Sequence, residues 1–134
     1  MILGIGVDIV DLERFTRAVS RTPRLVERLF AEGERALPTH SLAARFAAKE
    51  ALIKALGSSD GVYWHDIEVV ATGEGDPGFT LHGSVAALVA ARGITGVHLT
   101  MTHDAGVACA FVIAEGDSAE GGRAEGDSAG RGNG

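Results

Sequence analysis

The sequence predicts an α+β fold in which a small antiparallel sheet packs on one long helix and several short ones. Three observations point there. An apolar strand opens the chain, a capped run with apolar residues at the helical period occupies 41–57, and two pairs of short strands in the second half flank turn-rich segments of hairpin length. At 134 residues the chain has the size of one domain, enough to bury roughly two thirds of the surface its unfolded form exposes. An apolar share of 46% against 22% charged is that of a globular protein.

Residues 2–10 read as a strand, with Leu3, Ile5, Val7 and Ile9 on one face and Gly4, Gly6, Asp8 and Val10 on the other. Asp8 then lies near the strand's exit. A short helix is expected after Asp11, and Thr22-Pro23 has the form of an N-cap followed by proline at the first position of a second short helix. The longest element is expected from Ser41, a good cap, to Gly57, a good C-terminal stop. Along it Leu42, Phe46, Ile53 and Leu56 form a narrow apolar stripe, and Lys49 falls inside that stripe. Glu50 borders it, and Lys54, one turn further on, is placed for a helical ion pair with Glu50. Taken alone, such a group reads as a snorkelling lysine beside a surface salt bridge worth about 0.5 kcal/mol or less.

Residues 66–71 and 79–82 read as the strands of a hairpin across the turn-rich segment 72–78. An alanine-rich helix over 85–91 ends at Arg92-Gly93, and 97–102 and 107–113 read as paired strands with His103 and Asp104 at the tip. After Glu115 the composition turns to Gly, Ser, Ala, Asp, Glu and Arg, and Ala-Glu-Gly-Asp-Ser-Ala occurs at 114–119 and again at 124–129. With nothing to bury, 116–134 are expected to form a flexible low-complexity tail behind a folded domain of residues 1–115.

A net charge of −6 argues against nucleic acid as the main partner. The distribution is uneven, however. Arg14, Arg17, Arg21, Arg24 and Arg28 are opposed only by Glu27, a local charge of about +4 at helical spacing. Such a stripe is either a solvated face or a dock for an acidic macromolecule. The apolar run 1–7 stops at Asp8 without a basic leader, so it reads as neither a signal peptide nor a membrane span, and a cytoplasmic protein is expected. The single cysteine, Cys109, lies in the apolar run 107–113 and reads as core.

Asp8 at the end of an apolar strand and Glu50 on the margin of an apolar stripe both require compensation if buried. A magnesium ion would answer for both, since it commonly uses one or two protein carboxylates and completes its shell with water and phosphate oxygens. Spacing alone does not bring together residues forty-two positions apart.

The opening Gly4-Ile5-Gly6-Val7-Asp8-Ile9-Val10, then Arg14-Phe15, and above all Arg45-Phe46-Ala47-Ala48-Lys49-Glu50-Ala51-Leu52-Ile53-Lys54-Ala55-Leu56-Gly57 closely resemble the holo-acyl-carrier-protein synthase family. His65-Asp66-Ile67-Glu68-Val69, Leu81-His82-Gly83 and Thr100-Met101-Thr102-His103 extend the likeness, which covers residues 1 to about 115.

The resemblance implies a small α+β phosphopantetheinyl transferase that forms a homotrimer, with active sites at the subunit interfaces. It implies that Asp8 and Glu50 bind magnesium and that Arg45, Lys54 and Gly57 line a coenzyme A site, which His103 reaches from the hairpin. Arg14, Arg21, Arg24 and Arg28 coincide with the region where the family docks acidic acyl carrier proteins. The implied reaction is attack by a carrier serine on the β-phosphate of coenzyme A, releasing adenosine 3′,5′-bisphosphate. Glu50, through metal-bound water, and Asp104 beside His103 are both candidates for the proton acceptor. Lys49 belongs to the motif without an assigned role.

The chain departs from the family pattern in a short segment before Ser41, in the acid of Gly75-Asp76-Pro77, and in threonine at 100 and 102 where serine is common. Rival readings are a binding module that keeps the fold without turnover and an unrelated magnesium-dependent nucleotide hydrolase. The chain lacks the phosphate-loop pattern that would favour the hydrolase.

Overall fold

Two glycines set the central contact of the fold, seen in a computed structural model that describes residues 1–71 and 75–117. The first strand, β1 (Ile2–Asp11), lays its backbone against the long helix α3 (Thr39–Leu56). A Cβ on Gly4 would stand 2.0 Å from the Ala55 carbonyl oxygen, and one on Gly6 would stand 1.8 Å from that of Ala51. Glycine is required at both positions because the opposing atoms are backbone and cannot swing aside. The small residues of α3 are the other half of this close approach.

Behind β1, α1 (Leu12–Arg21) starts where the Asp11 carboxylate accepts the Arg14 N–H at 2.9 Å. The second short helix, α2 (Arg24–Leu29), begins one residue later than its sequence suggests. Pro23 takes the N-cap position, while the Thr22 backbone closes α1 and its carbonyl accepts from Leu25 N at 2.9 Å. A turn of 3-10 helix at Glu32–Glu34 then leads to α3. That helix starts at Thr39 rather than after Ser41, because the Pro38 carbonyl accepts from Ser41 N (2.9 Å) and Leu42 N (3.0 Å). Gly57, at φ +90°, ends it in the left-handed conformation expected of a C-terminal glycine.

The strands β2 (Ile67–Ala71) and β3 (Pro77–Leu81) pair antiparallel, and the turn residues 72–74 lie outside the described residues. The helix α4 (Gly83–Ala91) is held by Asp66, whose carboxylate accepts from Ser84 N (2.9 Å) and Ser84 Oγ (2.8 Å). This latch joins the two short sequence blocks around Asp66 and His82-Gly83. Strands β4 (Ile94–Asp104) and β5 (Val107–Gly116) form the long hairpin, and the main sheet has the antiparallel order β1-β5-β4. Its tip is Ala105-Gly106, at φ +52° and +81°, the paired positive values of a two-residue turn that matches strand twist. His103 and Asp104 therefore end β4 instead of forming the tip.

The core is formed by α3 against the inner face of the sheet and against Phe15, Leu29, Phe30, Ile67 and Val85. Buried residues surround most of α3, so the narrow stripe expected from the sequence is too narrow: the helix is covered on the sheet side as well. The outer face of the sheet is apolar and open, with Ile5 55%, Val7 45%, Ile9 63% and Phe111 43% exposed. Cys109, opposite Ile9, belongs to this outer face and is half-buried, not core. No described helix is long and apolar enough to cross a membrane. Of the expected tail, residues 118–134 lie outside the described residues; Gly116 is still part of β5, its N–H bonded to the Met1 carbonyl at 2.9 Å.

Candidate functional site

The glycine contact determines where Asp8 arrives. Two strand residues advance about 6.6–6.8 Å and four helical residues about 6 Å, so β1 and α3 stay in step from Gly4 on Ala55 to Gly6 on Ala51. Asp8, the next residue on that face, comes to line one cleft of about 490 Å³ together with Glu50, Arg14, Phe15, Phe46 and Trp64. Lys54 crosses to the strand and donates to Asp8 Oδ1 at 3.1 Å and to the Val7 carbonyl at 3.0 Å. Among the described residues it makes no ion pair with Glu50, contrary to the helical spacing.

Burial holds the Glu50 carboxyl above its ordinary range, the charge of Asp8 pushes it further, and Lys54 opposes both. Asp8 and Glu50 thus face one cleft, which Asp11 and Arg14 also line, and among the described residues the half-exposed Lys54 is the cation paired with Asp8. This donor set fits a hard divalent cation of the magnesium kind. No third His, Cys, Asp or Glu among the described residues joins them as a group, which would leave the other positions to water and phosphate oxygens.

Arg45 and His103 lie elsewhere. Arg45 precedes Glu50 by five residues, about 140° around the helix axis, and opens into a separate cavity of about 240 Å³ with His40, Ser41, Met101 and His103. The rings of His40 and His103 meet edge to face at 6.2 Å. Among the described residues, Arg45 Nε is a buried side-chain nitrogen without a hydrogen-bond partner. Asp104 is exposed and accepts the Ala105 N–H at 2.9 Å, supporting its own turn. Gly57 is accounted for by its φ, with open space where a Cβ would stand. Arg14, Arg17, Arg21, Arg24 and Arg28 are all exposed; Arg17 pairs with Glu13 at 3.5 Å, and the other four make no ion pair among the described residues.

No partner for Lys49 is legible in the sequence. It is fully buried and donates to Glu34 Oε1 at 2.6 Å and to the Leu29 carbonyl at 2.8 Å, with the Phe30 ring 4.9 Å away. Glu34 also accepts from Ala31 N (2.9 Å) and Val69 N (3.0 Å). Burial pulls Lys49 below the usual lysine range, and the Glu34 hydrogen bond and charge resist that fall. The signal was the lysine inside an apolar stripe. Nothing in the sequence pointed to Glu34, which lies in the short segment that departs from the family pattern.

The family model of the 4′-phosphopantetheinyl transferase superfamily matches residues 4–111. A holo-[acyl-carrier-protein] synthase of Clavibacter sepedonicus is 63% identical over 119 residues, which cover 89% of this chain and 100% of the relative. The crystal structure of a holo-[acyl-carrier-protein] synthase from Neisseria meningitidis superposes with a TM-score of 0.81 at 33% identity, covering 86% of this chain and 99% of that one. A Helicobacter pylori holo-[acyl-carrier-protein] synthase, solved in complex with coenzyme A, gives 0.74 at 30% identity over 83% and 99%. The match spans both motif blocks and nearly the full length of each relative, and the chain belongs to the 4′-phosphopantetheinyl transferase superfamily.

Proposed function

We propose that the chain is a holo-[acyl-carrier-protein] synthase whose reacting centre is the cleft shared by Asp8 and Glu50. The observation that carries this reading is the meeting of the two carboxylates, one from each family motif, beside an open cleft edged by Arg14. A serine oxygen of the apo carrier forms a bond to the β-phosphorus of coenzyme A. The bridging P–O bond breaks, and adenosine 3′,5′-bisphosphate leaves.

Asp8 and Glu50 would hold a magnesium ion, which supplies positive charge to the phosphate oxygens. Lys54 steadies Asp8 and brings a second positive charge to the edge of the site. Glu50, acting through metal-bound water, lines the reacting cleft and is the better placed of the two candidate acceptors for the serine proton. Asp104 is exposed, and one of its carboxylate oxygens accepts within its own turn.

Arg45 and His103 are proposed to bind coenzyme A from a second copy of the chain. They line a different cavity from Asp8 and Glu50, which supports a site completed between subunits. The exposed apolar face of Ile5, Val7, Ile9 and Phe111 supports association as a homotrimer. Gly57, by its place in the motif, borders the coenzyme A site, and Arg14, Arg21, Arg24 and Arg28 are proposed to dock the acidic carrier. A cytoplasmic location is part of this proposal. Incubating the protein with coenzyme A, magnesium and apo carrier, then weighing the intact carrier, tests the reading: the carrier gains one phosphopantetheine arm. A carrier of unchanged mass would favour the binding-module reading, and coenzyme A hydrolysis without transfer would favour the hydrolase.

A further inference from the structure

Beyond the arginines, a second cavity lies at the docking face. Arg28, Leu29, Tyr63, Trp64 and His65 line a pocket of about 270 Å³, and the Tyr63 side of it is open, that residue being 63% exposed. Two of its walls, Leu29 and Trp64, also line the cleft of Asp8 and Glu50. The pocket and the cleft are therefore back to back, with Arg14 at the cleft and Arg28 at the pocket. A macromolecule that delivers a serine into the cleft across this arginine-bearing edge extends over the pocket.

Tyr63 is also held in place. Its ring meets His65 edge to face at 5.8 Å, the His65 Nε2 contacts the Glu27 carbonyl of α2, and the Tyr63 carbonyl accepts from Asp66 N at 2.9 Å. Trp64 stacks on Phe46 at 5.7 Å. An exposed aromatic side chain fixed before binding loses little freedom on contact, and Tyr, Trp and Arg are the residues enriched where interface energy concentrates.

We propose that Tyr63 and this pocket receive an apolar side chain of the acidic carrier protein, next to the serine-bearing segment, while Arg24 and Arg28 meet its acidic groups. This rests on the transferase reading above and adds an apolar anchor to a dock otherwise described by charge. Opposite charges on the two surfaces bring the carrier to this edge. The shared walls then place its apolar contact one side chain away from the reacting cleft.

The test is steady-state transfer to apo carrier by the parent protein, Tyr63→Ala, Tyr63→Phe and Arg28→Ala, at low and at high salt, with sedimentation of each. Tyr63→Ala should raise the KM for carrier roughly tenfold at both salts, with KM for coenzyme A unchanged. Tyr63→Phe should keep the parent value. Arg28→Ala should raise it at low salt and converge on the parent at high salt, because an exposed charge is screened within about 8 Å at physiological ionic strength. A carrier KM for Tyr63→Ala within twofold of the parent, or an equal loss for coenzyme A, would overturn the proposal while leaving the transferase reading intact. A change in sedimentation of Tyr63→Ala with carrier KM unaltered would assign the ring to self-association and overturn it as well. A parent that transfers nothing would overturn both.

Discussion

Lys49 and Glu50 are neighbours on α3, yet they face opposite kinds of surroundings. Lys49 enters a sealed group in which lysine and carboxylate meet at 2.6 Å, are exposed by no more than 2%, and share their remaining capacity with the backbone at Leu29, Ala31 and Val69. Glu50 enters an open one. There Asp8 is paired with Lys54 at 3.1 Å, Glu50 has its carboxyl raised by burial and by Asp8, and the whole group borders a cleft. A buried pair bonded in this way is closed to a ligand and fixes α2, β2 and α3 against each other. An under-compensated group carries a standing electrostatic cost that a bound cation would relieve. One helical step, about 100° of rotation, separates the structural group from the proposed reacting one.

The comparison breaks most visibly in activity. Asp8→Asn and Glu50→Gln keep size and remove charge, so each should slow transfer roughly a hundredfold or more and weaken its dependence on magnesium, with folding intact. Near-normal rates across a magnesium titration in either mutant would remove that residue from the proposed metal site. The sealed group predicts the reverse pattern. Lys49→Met leaves the Glu34 carboxylate buried without its cation and should cost about 3–5 kcal/mol in denaturant unfolding. Adding Glu34→Leu should recover only part of this, because Ala31 N and Val69 N would then lack an acceptor. Full recovery in the double mutant would mean that the Glu34 backbone bonds contribute little.

A smaller effect sharpens the contrast through pH. The Glu50 carboxyl is raised in the folded state, so its contribution to stability is present below the ordinary carboxylate range and is lost as pH rises through the raised value. The metal-free protein should therefore melt at a slightly lower temperature at neutral than at mildly acidic pH on account of this residue. Glu50→Gln should lose that component, and magnesium should raise the melting temperature of the parent at neutral pH more than that of the mutant. Identical pH profiles for parent and mutant would contradict this. Least affected should be a chain ending at Asp117, since the residues removed are all polar or small. Melting temperature and turnover should match the full chain, and a large loss of either would show that the tail belongs to the domain.

Local chemistry made several elements legible. Asp11 as a cap, Gly57 as a stop, and the hairpin around residues 103–106 each follow from residues in contact with their own neighbours in sequence. The errors were of one position at Pro23 and three at Pro38, where a proline displaced the expected cap. Resemblance divided the site residues into magnesium ligands, Asp8 and Glu50, and a coenzyme A group of Arg45, Lys54, Gly57 and His103; the structure bonds Lys54 to Asp8, while Arg45 and His103 line a separate cavity. Arg45 and Glu50 leave the same helix on different flanks, a separation that a motif written in one line does not display.

What the sequence by itself determined is the order of the main strands and helices and, through the resemblance, the residues proposed to bind phosphate and metal. Periodicity, caps and turns act over a few residues, so they survive without tertiary context. The tertiary structure alone decided which carboxylate each lysine meets: Lys49 reaches back fifteen residues to Glu34, and Lys54 forty-six to Asp8 in preference to Glu50 four residues away. Those choices depend on which backbone crosses which helix face, and on how much water each crossing excludes. In this chain, the crossing is set by Gly4 and Gly6 against Ala55 and Ala51.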